Sequence, residues 1–279
     1  MIQLVETDRP YLVMGLLDAD SIAYAIGELI RQAGGRVIYT VQNERLKRIF
    51  LDHSKQLSPE EHAALDIRFC DVTQPDEVAA LFAGVGTLAG IVHSIAYANP
   101  RTCLGRELHT DAVADITLSY EISCVSLATV ARHALPNLDG RGSLLALTFD
   151  TRHVYPHYNW MGVHKAALEA LVRALARRHG RDGLRVNALS AGPLSTKAAS
   201  KIPGFGQLSQ LWQDASPLPW DPHSDRRAVA EAAAFLVGPL ARKITGQVLT
   251  VDGGASIMGG PLLDFERAPA AGSPEQSIE

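Results

Sequence analysis

The chain has 279 residues, 47% of them hydrophobic, which is enough to bury the core of one large domain. Its 26 Lys and Arg residues against 30 Asp and Glu residues give a formal net charge of -4. A chain without a basic excess lacks the positive field that attracts nucleic acid, so we expect no nucleic-acid partner.

The three cysteines, Cys70, Cys103 and Cys124, are widely spaced and form no Cys-x-x-Cys motif. They indicate reduced thiols and a cytoplasmic location. The first residues lack the basic start and apolar core of a signal peptide, and no apolar run approaches the ~20 residues of a membrane span. We therefore expect no membrane partner.

Short apolar runs rich in strand-forming residues predict seven strands, at 11–14, 36–41, 66–70, 90–93, 143–147, 184–189 and 247–251. Segments with helical length and apolar spacing lie between them, at 21–33, 75–82, 115–135, 159–179 and 226–236. Strands that alternate with helices predict a parallel sheet covered on both faces. We expect an α/β fold: a single doubly wound Rossmann-like domain over residues 1–267, with a parallel sheet of about seven strands.

Two segments depart from this alternation. Residues 198–223 hold several prolines and glycines around apolar side chains, a pattern too broken by proline for one long helix. Such an insertion predicts a flap over an apolar pocket, and the alternative is a surface loop folded on its own aromatic residues. Residues 268–279 are rich in Ala, Pro, Ser and acidic residues, which predicts a disordered tail.

The turn after the first strand has the features of a phosphate site. Gly15 ends the strand, and Ser21 stands where a helix N-cap belongs, so the backbone N–H groups of Ser21 and Ile22 could accept a pyrophosphate. The turn is longer than G-x-G-x-x-G and lacks its middle glycine. A strand, a turn and a capped helix also occur in folds that bind no nucleotide, so this signal is weak alone.

The ends of the next strands extend the nucleotide pattern. The second strand ends at Gln42, where an acidic residue would bind a ribose 2′-hydroxyl and an arginine would accept a 2′-phosphate. Gln42 is neither, and Arg45 lies beyond it, which favours NADH mildly; Gln42 could also simply cap the strand. The residues that follow the third and fourth strands would border the adenine and the nicotinamide ribose: Asp71, Val72, Ser94, Ile95 and Ala96.

Tyr158 immediately precedes the predicted helix 159–179, and Lys165 lies within this helix, seven residues further along the chain. Seven residues are about two helical turns, so both side chains can face one pocket. A phenol can hold a carbonyl oxygen as it gains negative charge, and an ammonium adds positive field. The alternative is a helix with one buried tyrosine and one solvated lysine.

Four histidines of the chain share no metal-ligand spacing, and we expect no metal site: His93, His153, His157 and His164.

The segments that carry a family resemblance are Gly15 to Ala23, Gln42-Asn43, Cys70-Asp71-Val72, His93 to Asn99, Tyr158-Asn159-Trp160-Met161-Gly162-x-x-Lys165, Arg185 to Thr196, and Val251-Asp252-Gly253-Gly254. Together, over about residues 10–258, they resemble the enoyl-acyl-carrier-protein reductases. These are NADH-dependent enzymes of bacterial type II fatty-acid synthesis, in a divergent branch of the short-chain dehydrogenase/reductases. The Tyr-x6-Lys spacing is the most specific part, because general short-chain dehydrogenases use Tyr-x3-Lys.

The resemblance implies hydride transfer from NADH to the β-carbon of a trans-2-enoyl thioester on acyl carrier protein. Tyr158 and the cofactor ribose would hold the enolate oxygen, and Lys165 would bind the nicotinamide ribose. The segment after the sixth strand would close on the pyrophosphate and carboxamide: Leu194, Ser195, Thr196, Lys197 and Ala198. Residues expected at the substrate, with Tyr158, are Ala96, Tyr97, Ala98, Met161 and Phe205. Val251 to Gly254 and the last strand resemble a subunit contact, which implies a homotetramer.

Phe149 departs from most of the family, which has a second tyrosine there. It can donate no hydrogen bond, so it shapes the pocket, as in the mycobacterial branch. The segment after Thr196 is short for that branch, and we expect medium-length acyl chains. Two alternatives stay open: a reductase of the same fold for a polyketide or other secondary-metabolite alkene, and a nucleotide-binding regulator without turnover.

Overall fold

The structure is a computed structural model that describes residues 2–260 except 53, 55, 106 and 156. The predicted tail at 268–279 and the end of the predicted domain lie outside the described residues. The described chain contains one seven-stranded parallel sheet, with the order β3-β2-β1-β4-β5-β6-β7. This confirms the predicted doubly wound α/β fold.

All seven predicted strands are present, with ends that shift by one or two residues. They are β1 Tyr11–Met14, β2 Val37–Val41, β3 Asp66–Phe69, β4 Gly90–His93, β5 Gly142–Thr148, β6 Leu184–Ala191 and β7 Val248–Val251. The helices are α1 Ile22–Gln32, α2 Glu44–Leu46, α3 Pro59–Ala63, α4 Pro75–Gly84, α5 Val113–Tyr120, α6 Ser126–Ala134, α7 Asn159–His179, α8 Phe205–Ala215 and α9 Arg226–Val237.

The alternation of side chains along β1 shows how both faces of the sheet are covered. Tyr11 and Val13 belong to a core built with α1, α8 and α9, whereas Leu12 and Met14 belong to a core built with α4, α6 and α7. All four side chains have no exposed surface. A strand buried on both faces has a continuous apolar sequence, which is why the sheet was predictable.

One helical prediction needs correction. The helix predicted at 115–135 is two α-helices, α5 and α6, joined by a π-helical turn at Glu121–Val125. Residues 198–223 form no single long helix, as predicted, but they contain the 11-residue helix α8, which the sequence did not indicate and which fits between Pro203 and Pro217. Periodicity detects neither a π-turn nor a helix that fits between two prolines.

The helical run Val113–Asn137 is also long and apolar enough, by length and composition, to cross a membrane. This is an exception to the expectation that no apolar run approaches that length. One third of its most apolar stretch is buried inside the protein, and it packs on the sheet through residues such as Leu127 and Val130. A core helix of a water-soluble protein has the same composition, so the run is weak evidence for a membrane.

Candidate active site

Apart from Lys165 in α7, the sequence-predicted cofactor residues follow strands at one edge of the sheet, where the carboxyl ends of parallel strands meet. β1 and β4 are neighbours, and the strand order reverses there, which is where ligands bind in open parallel sheets. Gly15 after β1 has φ +90°, and a Cβ atom on it would lie 2.2 Å from the Ser94 carbonyl oxygen after β4. Only glycine therefore permits this approach of the two loops.

The first turn of α1 is capped as predicted. The Ser21 hydroxyl accepts a hydrogen bond from the Tyr24 N–H at 3.2 Å and donates to the Asp18 carbonyl oxygen at 2.6 Å. The Ser21 N–H donates to the same carbonyl at 3.2 Å, so the expectation that this N–H is free for a pyrophosphate is wrong in this structure. Ile22 is the first helical residue, whose N–H has no partner within its helix.

Gln42 and Asp71 meet across the ends of β2 and β3. The Gln42 side-chain amide donates to an Asp71 carboxylate oxygen at 2.7 Å, and Asp71 also accepts two hydrogen bonds from Thr73. Burial acts to raise the pKa of Asp71, but these hydrogen bonds outweigh it and lower the pKa below its usual range. Gln42 and Asp71 therefore present an ionised carboxylate at this edge, with the buried Val72 beside it.

The loop after β4 is held by serines of α5 and the π-turn. The Tyr97 carbonyl accepts hydrogen bonds from Ser119 at 2.7 Å and Ser123 at 3.1 Å, and Ser123 also accepts from the Tyr97 N–H. The Tyr97 side chain stays 43% exposed, and Ala96 is exposed beside it. The π-turn thus fixes the backbone of this loop and leaves its side chains open to a ligand.

Lys165 lies in α7 and is 5% exposed. Its Nζ donates a hydrogen bond to the Leu147 carbonyl oxygen of β5 at 2.7 Å, which leaves two of its three N–H bonds for other partners. Burial lowers the pKa of Lys165 to about 8. His93 lies nearby, bonded to Ser126 at 2.8 Å, and burial lowers its pKa to about 3, so it is neutral.

Tyr158 immediately precedes α7, as its N-cap residue, and its ring lies 4.8 Å from that of Phe149 in an edge-to-face contact. Burial raises the pKa of the Tyr158 phenol above its usual value, so the phenol keeps its proton and can donate a hydrogen bond. Tyr158 and Lys165 stand on one helix, two turns apart, as predicted. Met161 of the same helix is buried, at 4% exposure.

Phe149 also contacts two aromatic residues that the sequence did not suggest. Its ring centroid is 5.1 Å from that of Tyr155 and 5.4 Å from that of Trp212, and these two rings are 4.9 Å apart. The Tyr155 hydroxyl donates to Asp150 at 2.7 Å. Trp212 belongs to α8, so the predicted flap contacts the pocket wall through tilted aromatic rings. No local motif could have indicated the contacts of Trp212, whose partners lie in a distant part of the sequence.

The segment after β6 folds back toward the turn after β1. Leu194 is buried, the Ser195 N–H donates to the Pro222 carbonyl at 2.8 Å, and the Thr196 hydroxyl accepts from the Ala199 N–H at 3.1 Å. Lys197 Nζ lies 3.0 Å from a carboxylate oxygen of Asp18. Sequence reasoning assigned Lys197 but missed Asp18.

Within the part of the chain that the structure describes, no group of three or more His, Cys, Asp or Glu residues could hold a metal ion. The site thus consists of a nucleotide edge, a buried Lys165 and a protonated Tyr158 beside an aromatic wall. A doubly wound sheet with these groups defines a nicotinamide-dependent reductase.

Comparison with known proteins gives the family. Residues 15–256 match the family described as enoyl-(acyl carrier protein) reductase. The enoyl-[acyl-carrier-protein] reductase [NADH] FabI of Bacillus cereus is 36% identical over 256 residues, which cover 90% of this chain and 98% of that protein. The corresponding [NADPH] enzyme of Staphylococcus aureus is 34% identical and covers 88% of this chain and 96% of that protein.

Among solved structures, the Bacillus cereus enoyl-acyl carrier protein reductase with NADP+ and indole naphthyridinone superposes with a TM-score of 0.82 at 35% identity. The superposition covers 93% of this chain and the whole of the Bacillus cereus chain. The chain belongs to the enoyl-acyl-carrier-protein reductase family. It is an enzyme that reduces the double bond of an enoyl thioester in fatty-acid synthesis with a nicotinamide cofactor.

Proposed function

We propose that Tyr158 and Lys165 carry this reduction, with Phe149 as the wall behind Tyr158. The observation that carries the proposal is the pairing of a protonated, partly buried phenol with a buried ammonium on one helix. When the nicotinamide cofactor is bound, it would supply the hydride that adds to the β-carbon of the enoyl group. Tyr158 donates a hydrogen bond to the thioester oxygen and stabilises the negative charge that forms there.

Lys165 acts as a positioning group. Its bond to the Leu147 carbonyl fixes the ammonium, and its remaining N–H bonds are available to a ribose hydroxyl. Its positive charge also favours the developing oxyanion. Phe149 can give no hydrogen bond, so it excludes water from one side of Tyr158 and leaves Tyr158 as the donor.

The residues at the sheet edge fit a dinucleotide. The contact of Gly15 with the Ser94 carbonyl makes a cradle that a Cβ atom would fill, and α1 begins beside it. The ribose end of this edge carries the Asp71 carboxylate bonded to Gln42, a negative charge that disfavours a 2′-phosphate. We therefore propose NADH as the preferred cofactor, although some relatives are named as NADPH enzymes.

We propose enoyl groups of medium length, carried on acyl carrier protein, as substrates. The rings of Phe149, Tyr155 and Trp212 fill the space beside Tyr158 under α8, which supports a pocket of limited depth. The test is loss of NADH absorbance with trans-2-enoyl thioesters from C4 to C16. We expect the highest kcat/KM near C8 to C12, and a maximum at C16 would contradict the chain-length proposal. No turnover at any length, with NADH still bound, would favour another activated alkene or a regulator.

We also propose a cytoplasmic homotetramer. Apolar side chains remain exposed on the last strand and its surroundings, with Leu218 at 71%, Leu249 at 37% and Ile257 at 75%. Exposed apolar groups of this kind are typical of surfaces that a second subunit covers. Sedimentation velocity gives the test, with a mass of four chains as the expected result.

A further inference from the structure

The loop between β1 and α1 carries two acidic side chains, Asp18 and Asp20, at the place assigned to the cofactor pyrophosphate. The Asp18 side chain is 1% exposed. One of its oxygens accepts the Asp20 N–H at 3.1 Å, which holds the carboxylate inside the loop. A carboxylate buried in a loop that takes a doubly charged anion repels that anion unless another charge cancels it.

Each of these carboxylates meets a cation from the second half of the chain. Lys197 Nζ lies 3.0 Å from Asp18, and Arg226 Nη1 lies 2.7 Å from Asp20. Asp20 also accepts a hydrogen bond from Gln56 at 2.6 Å. The loop is therefore close to electrically neutral only because Lys197 and Arg226 reach it.

Lys197 differs from Arg226 in being half exposed, at 48%, and in bridging three segments. Its Nζ lies 5.3 Å from the centre of the Phe50 ring, in the π-helical turn Lys47–Leu51 that follows α2. The flap begins at the next residue, Ala198. The side chain of Lys197 thus ties the start of the flap to the loop after β1 and to the turn after β2.

We propose that the Lys197–Asp18 ion pair is a cofactor clasp. It cancels the charge that Asp18 places in the pyrophosphate loop, and it holds the start of the flap against that loop. The proposal rests on the assignment of this loop to the pyrophosphate of NADH. Lys197 acts here through Asp18, and its charge prepares the loop for the anion.

A set of four variants tests the electrostatic half by NADH binding in the absence of thioester: Lys197→Met, Asp18→Asn, their combination, and Lys201→Met as a matched control. Lys197→Met leaves a buried charge unpaired in the loop, and we expect NADH to bind about tenfold more weakly. Asp18→Asn removes that charge, so we expect binding at least as tight as in the wild type. The double variant should recover to within about threefold of the wild type.

A double variant as weak as Lys197→Met alone would overturn the proposal, because Lys197 would then act on the cofactor directly. Binding by Lys197→Met equal to that of the exposed Lys201→Met would overturn it as well. A wild-type protein that binds no NADH would instead contradict the proposed cofactor and leave these comparisons without a reference value.

Chymotrypsin digestion of the protein without cofactor tests the mechanical half, because α8 contains Phe205, Leu208, Leu211 and Trp212 as cleavage residues. We expect both Lys197→Met and Asp18→Asn to be cut in α8 faster than Lys201→Met. The melting temperature of each variant shows whether the fold is retained. Equal digestion rates in all three variants would overturn the clasp.

Discussion

Lys165 reaches the active site with one N–H bond already given to the Leu147 carbonyl. Because burial lowers its pKa to about 8, the free protein holds this ammonium charged at neutral pH and loses the charge as pH rises through that value. A charged donor binds a ribose hydroxyl better than a neutral amine does. The function of Lys165 is therefore sensitive to pH in a range where Tyr158 keeps its proton.

This gives a pH prediction. NADH affinity, measured by fluorescence titration from pH 6.5 to pH 9.5, should be constant at the acid end and fall above about pH 8. His93 adds nothing to this profile, because its pKa is about 3. Lys165→Arg keeps the charge throughout and should bind NADH with little pH dependence. A wild-type profile that stays flat up to pH 9.5 would show that the ammonium has no part in binding.

At this scale the sequence predicted Tyr158 and Lys165, because both lie on one helix and their spacing is itself the signal. It predicted Phe149 as a pocket residue from the family resemblance, because most of the family has a second tyrosine at that position. It missed Asp18 and Trp212, since their partners come from distant segments, and it missed Tyr155 although Phe149 and Asp150 lie close to it in sequence. A contact between Trp212 and Phe149 exists only after α8 has packed on the sheet.

At the scale of elements, the contact between the loops after β1 and β4 forms the proposed nucleotide cradle. Position 15 requires glycine for two reasons. Its φ is +90°, and a Cβ atom there would lie 2.2 Å from the Ser94 carbonyl oxygen. Gly86 has φ +67° and open space around the Cβ position. Substitution of Gly86 therefore changes stability only through the strain of the left-handed backbone conformation.

We therefore expect Gly86→Ala to lower the free energy of unfolding by about 1–2 kcal/mol, which is the cost of a left-handed backbone with a side chain. Gly15→Ala should cost about twice that, because the loops must also move apart. It should weaken NADH binding, whereas Gly86→Ala should leave NADH binding unchanged. Urea unfolding and NADH titration of both variants measure this. Equal losses of stability with intact binding in both would contradict the cradle.

Strands and helices were predictable where a single hydrophobic pattern in the sequence determines the element. Strands buried on both faces are continuous apolar runs, and α1 and α7 show regular periodicity over their full length. The helix α8 and the π-turn Glu121–Val125 were missed because each depends on packing: the first fits between two prolines, and the second adapts the α5–α6 run to the Tyr97 backbone. The first contacts Phe149, and the second holds the backbone of Tyr97.

At the scale of the whole molecule, the fold brings the carboxyl ends of all seven parallel strands to one edge, and the two halves of the chain meet there. The first half supplies the cradle and the Asp71 carboxylate, and the second half supplies Tyr158, Lys165 and the flap. Lys197 and Arg226 join the halves through the acidic loop after β1. The proposed clasp couples cofactor binding to the position of the flap through this contact region.

The central claim is that Tyr158 donates a hydrogen bond that stabilises the oxyanion, and turnover of dodecenoyl thioester by Tyr158→Phe tests it most directly. Loss of one such donor lowers kcat by about a hundredfold or more, and NADH affinity should stay unchanged. Tyr155→Phe is the matched control, because its hydroxyl is bonded to Asp150, and it should keep kcat within about threefold of the wild type. A Tyr158→Phe enzyme with undiminished kcat would contradict the account.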